Sequence, residues 1–168
     1  MPDAGQMSLH PARQTVERVE KPAPRVAQAC EHPEGAGEPD EFPIYVHESA
    51  LAQIVAQDGE GGLLVGYPYA GYVEVQGFLP AHLPFSAETW TDAAEAMRAW
   101  PGKAIVGWAR VRAGHGVRLD DPDIVLHSSL FSLPWQVAFV VDPASRKFGF
   151  FQWSENRVRP CGFAIVTT

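Results

Sequence analysis

Residues 104 to 143 read AIVGWARVRAGHGVRLDDPDIVLHSSLFSLPWQVAFVVDP, and this stretch decides the fold. It opens with a short apolar run, Ala104 to Val111, that predicts a strand. A loop carrying Gly114 and Gly116 follows, then an acidic corner at Asp120, Asp121 and Asp123 that leads into helical spacing. Asp123 is placed to cap that helix, with Ile124, Leu126 and Phe131 as its apolar positions and Pro134 as its stop. The β-branched and aromatic run Trp135 to Val141 predicts a second strand, closed by Asp142-Pro143. A strand that delivers side chains to a glycine loop, opposite the acidic start of a helix, is a common way to build a site.

Upstream, Pro43 to Val46 reads extended, and HESALAQIVAQ places Ala50, Leu51, Ile54 and Val55 on one helical face, ended by Asp58-Gly59. Gly62 to Tyr67 and Tyr72 to Leu79 form two strands joined by a hairpin at Ala70-Gly71. Ser86 opens a helix whose Trp90, Ala94, Met97 and Trp100 line one face, and Pro101-Gly102 ends it. Downstream, Phe148 to Trp153 pairs antiparallel with the run before it through the turn PASRK, and Gly162 to Val166 is a last short strand. The resulting order, β-α-β-β-α-β-α-β-β-β, is α+β rather than doubly wound. Residues 1 to 41 are rich in Pro, Ala, Glu and Gly without a sustained period, which predicts a disordered tail before a domain spanning 42 to 168. That tail is either a docking segment or a solvated leader.

Composition narrows the function classes. At 168 residues, with 46% hydrophobic and 20% charged residues, the chain suits one ordinary globular domain. The net charge of −7 argues against a nucleic-acid or anionic-membrane partner, since both need a basic face. No apolar run is long enough to span a bilayer, and the N-terminus lacks the apolar core of a secretory signal, so the expected address is the cytoplasm. Cys30 and Cys161 alone support neither a disulfide framework nor a cysteine zinc site. Ser128-Ser129 beside His127 lacks the nucleophile elbow of a serine hydrolase, and no phosphate-binding glycine loop precedes a helix.

With this order of elements, residues 42 to 167 resemble the MPN (JAB) domain, a cytidine deaminase-like fold with a mixed β-sheet flanked by helices. GLLVG is similar to that family's first core strand, and TWTDAAEAM followed by Pro-Gly and IVGW to its second helix and the strand entering the active site. IVLHSSLFSLPWQVAFVVDP is especially close to a bacterial branch. The family's catalytic members are the JAMM zinc isopeptidases, which remove ubiquitin and ubiquitin-like proteins. They carry a glutamate general base before the first core strand, then Trp-Tyr-His-Ser-His-Pro, a glycine-containing loop and Ser-x-x-Asp. Two histidines and the aspartate hold zinc with one position open, which lowers the pKa of the bound water to about 7.

The resemblance also implies what this chain has lost. Gly107-Trp108 is kept, but Ala109 stands for the tyrosine, Arg110 and Arg112 for the two histidines, Val111 for the serine between them and Ala113 for the proline. Asp120 stands where the second serine belongs, and Asp123 matches the zinc aspartate. The glutamate position falls on Gly59, with Glu60 one residue late. Arginine is a permanent cation without a lone pair for a metal. Two of them at i and i+2 on a strand share one face, where they repel a divalent cation. The resemblance therefore implies a pseudoenzyme that needs no cofactor. It also implies a protein partner, either another MPN subunit or a ubiquitin-like or sulfur-carrier-like protein.

Two readings of the arginines stand at this point. Arg110 or Arg112 bridges to Asp123, putting a guanidinium where the metal would be, or both reach into solvent from an emptied groove. The rival enzyme reading is a divergent zinc isopeptidase whose metal site is rebuilt from His115, Asp120, Asp123 and His127. Against it, His127 lies one helical turn past Asp123, as it does in the bacterial branch that also has the usual ligands, so it reads as structural. His10, His32, His47 and His82 show no ligand spacing and are expected at the surface, and Trp153 is a candidate for an exposed patch.

Overall fold

In chain order the elements are β1 (Val26–Cys30), β2 (Ile44–His47), α1 (Glu48–Val55), β3 (Gly61–Tyr69), β4 (Tyr72–Pro80), α2 (Ala87–Ala96), β5 (Ala104–Val111), α3 (Asp121–Leu130), β6 (Val137–Asp142), β7 (Lys147–Ser154), β8 (Arg157–Cys161) and β9 (Phe163–Val166). The computed structural model describes residues 18–33, 42–57 and 59–167. Among them the nine strands form one sheet in the order β1-β9-β2-β4-β3-β5-β6-β7-β8, an α+β arrangement as expected.

The β3–β4 hairpin is the longest pairing, turning at Ala70 and Gly71 with Tyr69 opposite Tyr72. Its β-branched and aromatic residues are buried on both faces because helices cover both sides of the sheet. Ala50 and Ile54 of α1 join Ile44, Leu64, Val75, Val106 and Phe139 in one core. Trp90 and Ala93 of α2 join Leu63, Ile105, Trp108 and Phe131 in the core on the opposite face. The buried position in α2 is Ala93, whereas Ala94 is exposed, and the helix tightens into a 3-10 turn at Met97–Ala99 before Trp100.

β5 and β6 are parallel neighbours, so the chain must cross over between them, and α3 is that crossover. This topology lays α3 across the sheet beside the C-terminal end of β5. The apolar spacing of α3 misleads: Ile124 is 41% exposed and Val125 63%, while Asp123 and His127 are the buried positions. Phe131 is fully buried, but it lies just beyond the last helical residue, Leu130, and the helix ends four residues before the expected stop at Pro134.

Two strands were not expected. β8 reads RVRPC and pairs antiparallel with β7 as the outer strand of the sheet. β1 falls inside the supposed tail and pairs antiparallel with β9. Of residues 18–33, Val26–Cys30 thus belongs to the same sheet as the strands after residue 42. Residues 18–22 also dock on the hairpin. Ala70 N–H donates to Val19 O at 2.8 Å, Tyr72 Oη donates to Pro22 O at 3.1 Å, and the Lys21 ammonium sits 4.9 Å from the Tyr69 ring centroid. Backbone pairing and cation–aromatic contact hold this segment, not an apolar stripe, so composition could not reveal it. The tail expected for residues 1–17 and 34–41 lies outside the described residues.

Candidate functional site

Arg110 and Arg112 leave the end of β5 on the face that carries α3. Opposite them, α3 starts with a reciprocal cap. Asp120, rather than Asp123, is the N-cap residue: its Oδ1 accepts from Asp123 N–H at 3.3 Å, and Asp123 Oδ2 accepts from Asp120 N–H at 3.2 Å. This arrangement satisfies two of the helix's orphan donors and fixes Asp123 in the first turn, where the helix dipole favours a negative charge. Asp123 is 1% exposed.

The guanidiniums complete the cluster. Arg112 Nη2 donates to Asp123 Oδ2 at 3.0 Å, Arg112 Nη1 donates to Asp120 Oδ2 at 3.0 Å, and Arg110 Nη1 lies 3.4 Å from Asp123 Oδ1. Of the two readings left open by the sequence, the bridge is therefore the one found, and both arginines take part. Burial pushes the Asp123 carboxyl up, opposed by the Asp120 amide and by Arg110 and Arg112. Burial works the same way on Asp120, but hydrogen bonds from Asp123 and then the two guanidiniums outweigh it and hold that carboxyl down. Two cations against two carboxylates leave the cluster neutral when all four are charged.

Beneath it, Trp108 Nε1 donates to Nδ1 of His127 at 3.0 Å. Indole N–H is a donor only, so Nδ1 is the accepting nitrogen and the His127 proton sits on Nε2. His127 is fully buried against Phe131 and Trp153, with Nε2 unpaired among the described residues, and desolvation pushes its pKa down to about 4. It is a neutral core histidine. Trp153 is half-buried and donates to Phe131 O at 2.9 Å, so it belongs to this packing rather than to an exposed patch.

The loop after β5 is held by a residue the sequence reading passed over. Asp142, the last residue of β6, accepts from Gly114 N–H at 2.8 Å and from Gly116 N–H at 2.9 Å. Gly114 and Gly116 have φ of 82° and 73°, a region that glycine enters without steric cost. Those amides, with help from Ser145 and Ala144, hold the Asp142 carboxyl below its ordinary value despite the opposing effect of burial. In the sequence Asp142-Pro143 only closes the strand before it, and an aspartate facing two glycines 26 and 28 residues upstream leaves no local pattern.

The remaining sequence candidates separate from this cluster. Of His115, Asp120, Asp123 and His127, the two aspartates meet in the helix cap, while His115 is exposed on the glycine loop and His127 is buried in the core. Among the described residues no group of three or more His, Cys, Asp or Glu side chains could hold a metal. Glu60 is adjacent in the sheet, since its carbonyl accepts from Val111 N–H at 2.7 Å. Its side chain points elsewhere, pairing with the exposed His82 at 3.5 Å. Both line a cleft of about 460 Å³ beside α2, together with Leu79, Glu88 and Asp92. His82 is at the surface as expected. His47 is half-buried and paired with Glu74, and His32 is buried edge-on to Phe151, where Gly149 leaves room for its ring. His10 lies outside the described residues.

The zinc that the resembled family would carry does not fit these residues. The positions of its two imidazoles hold guanidiniums, which donate and cannot ligate. Both oxygens of the matching carboxylate, Asp123, face those guanidiniums, and the His127 imidazole has spent its free lone pair on Trp108.

No protein-family model matches the chain, and the search of curated proteins found no relative.

Proposed function

We propose that this chain is a catalytically inactive MPN-like protein, a pseudo-isopeptidase that works as a protein-binding or scaffold module. The observation that carries the reading is the Arg110–Asp123–Arg112 bridge. An ion pair replaces the metal charge that a hydrolytic site would need, and it uses up the one carboxylate that matches the zinc set. Glu60, the nearest candidate for a general base, pairs with His82 instead of reaching the cluster. What remains is a scaffold with an apolar core on each face of its sheet.

The partner class follows from the same resemblance: another MPN subunit, or a ubiquitin-like protein. Among the described residues no helix is long and apolar enough to cross a membrane. The test pairs two measurements on the full chain. Incubation with an isopeptide-linked ubiquitin-like conjugate should give no cleavage with or without added zinc. Thermal melts against a set of ubiquitin-like proteins and active MPN subunits should identify one that raises Tm. Zinc-dependent cleavage overturns the reading, and so does the absence of any stabilising partner in that set.

A further inference from the structure

On the sheet face opposite α1, four tyrosines surround one carboxylate. Cross-strand register sets Tyr45 of β2 and Tyr67 of β3 on either side of Glu74 in β4, and Tyr69 pairs with Tyr72 at the next position of the same face. The rings touch in series. Tyr45 meets Tyr72 edge-on with 5.2 Å between centroids, Tyr72 meets Tyr69 at 5.1 Å, and Tyr69 meets Tyr67 at 4.9 Å. Glu74 is 4% exposed, and its two oxygens differ. Oε2 is paired with His47, whereas Oε1 is buried and accepts no hydrogen bond among the described residues. A buried carboxylate oxygen without a donor is costly, and aromatic walls beside it favour a cation.

The chain's own residues 18–22, RVEKP, lie across this site. Lys21 Nζ is 3.4 Å from Tyr69 Oη but 4.0 Å from Glu74 Oε1, beyond hydrogen-bond reach, and its side chain is 50% exposed. The neighbouring residues make the closer contacts. Ala70 N–H takes Val19 O at 2.8 Å, Tyr72 Oη takes Pro22 O at 3.1 Å, and the Arg18 guanidinium reaches Pro68 O and Tyr69 O. The hairpin thus offers two donors, two acceptors and an ammonium site to an extended basic segment. The resident lysine fills the last of these incompletely.

We propose that the tyrosine-walled site at Glu74 binds the primary ammonium of a lysine in an extended basic segment of a partner protein, with residues 18–22 as its built-in competitor. The ammonium must be primary because only an N–H can satisfy Oε1. Lys21 is tethered to β1 a few residues downstream, and a lysine without that tether can close the remaining distance. The net charge of −7 favours a basic partner. Arg110 lies opposite Gly61, at the other end of β3 from Tyr69, so this site is separate from the arginine–aspartate cluster.

NMR titration of the full chain, read at the amides of Tyr69, Ala70, Tyr72 and Glu74, tests the proposal. The probe is an acetylated, amidated peptide with the sequence RVEKP. Lys21→Ala weakens the competitor, so this variant should bind the peptide saturably and roughly tenfold or more tightly than the wild type, where the tethered segment competes at an effective concentration of about millimolar. Trimethylating the peptide lysine keeps its charge but removes its donors, and should weaken binding to the variant roughly tenfold. Adding Glu74→Gln to the variant should also weaken binding; the trimethylated peptide gives the same test without altering a buried residue. No saturable binding to Lys21→Ala overturns the proposal. Equal affinity for the plain and trimethylated peptides does so as well, and so does equal affinity of wild type and variant.

Discussion

Arg112 donates from Nη2 to Oδ2 of Asp123 at 3.0 Å, across the gap between the end of β5 and the first turn of α3. The same guanidinium reaches Asp120 at 3.0 Å, so one side chain ties the strand to both members of the helix cap. The end of the strand and the start of the helix are thereby joined by ion pairs.

Removing Asp123 leaves two guanidiniums facing each other in a largely buried site and breaks the reciprocal cap. Asp123→Ala should cost roughly 3–5 kcal/mol of unfolding free energy in urea titration. Arg110→Ala should cost clearly less, since its pairing is longer and Arg112 still satisfies the carboxylate. An unchanged urea midpoint for Asp123→Ala would contradict the bridge.

His127 makes a pH-dependent contribution whose sign is fixed by its environment. Its folded-state pKa, about 4, lies below the ordinary histidine value of 6.5. The contribution is therefore complete above pH 6.5 and is lost as pH falls toward 4, because the unfolded chain binds the proton first. His127→Gln keeps an acceptor for Trp108 but cannot titrate. The loss of stability between neutral pH and about pH 4.5 should be smaller in this variant by roughly 2–3 kcal/mol. Equal losses in the two proteins would place the acid sensitivity elsewhere.

Asp142→Ala should release the glycine loop without unfolding the sheet. Amide exchange at Gly114 and Gly116 should accelerate, while the β3–β4 amides keep their protection. Protection at the two glycines that survives the substitution would show that another group holds the loop.

Introducing imidazoles tests whether the end of β5 and the start of α3 offer a metal-site geometry. Arg110→His with Arg112→His would set two neutral ligands opposite Asp123, the donor set that holds zinc in three-ligand sites. Zinc should raise the Tm of this double variant and leave that of the wild type unchanged. A double variant without a zinc response would count against the MPN resemblance itself.

The strands most legible in the sequence are those whose burial is complete. β3, β4, β5 and β6 are runs of Val, Leu, Ile, Phe and Tyr bounded by glycine, proline or aspartate, and each formed close to its expected place. β1 and β8 escaped because edge strands need no apolar run. VAQAC is held by pairing with β9, more than a hundred residues later, and RVRPC carries the charges and proline of an outer edge. The helix α3 was located correctly but its inward face was misjudged, because Asp123 and His127 turn polar groups to the sheet and leave Ile124 and Val125 outside. The arginine pair could be placed on one strand face from the i, i+2 rule alone. That both arginines meet Asp123, and that Asp142 anchors the loop, depend on the crossover and on strand register, which no local pattern encodes.

The most direct measurement is metal content by elemental analysis on the full chain, purified without a histidine tag and dialysed against zinc. A bridge of two guanidiniums on Asp123 predicts no stoichiometric zinc and no change in melting temperature on adding a chelator. About one zinc per chain, lost together with Asp123 in the Asp123→Ala variant, would contradict it and return the site to hydrolytic chemistry.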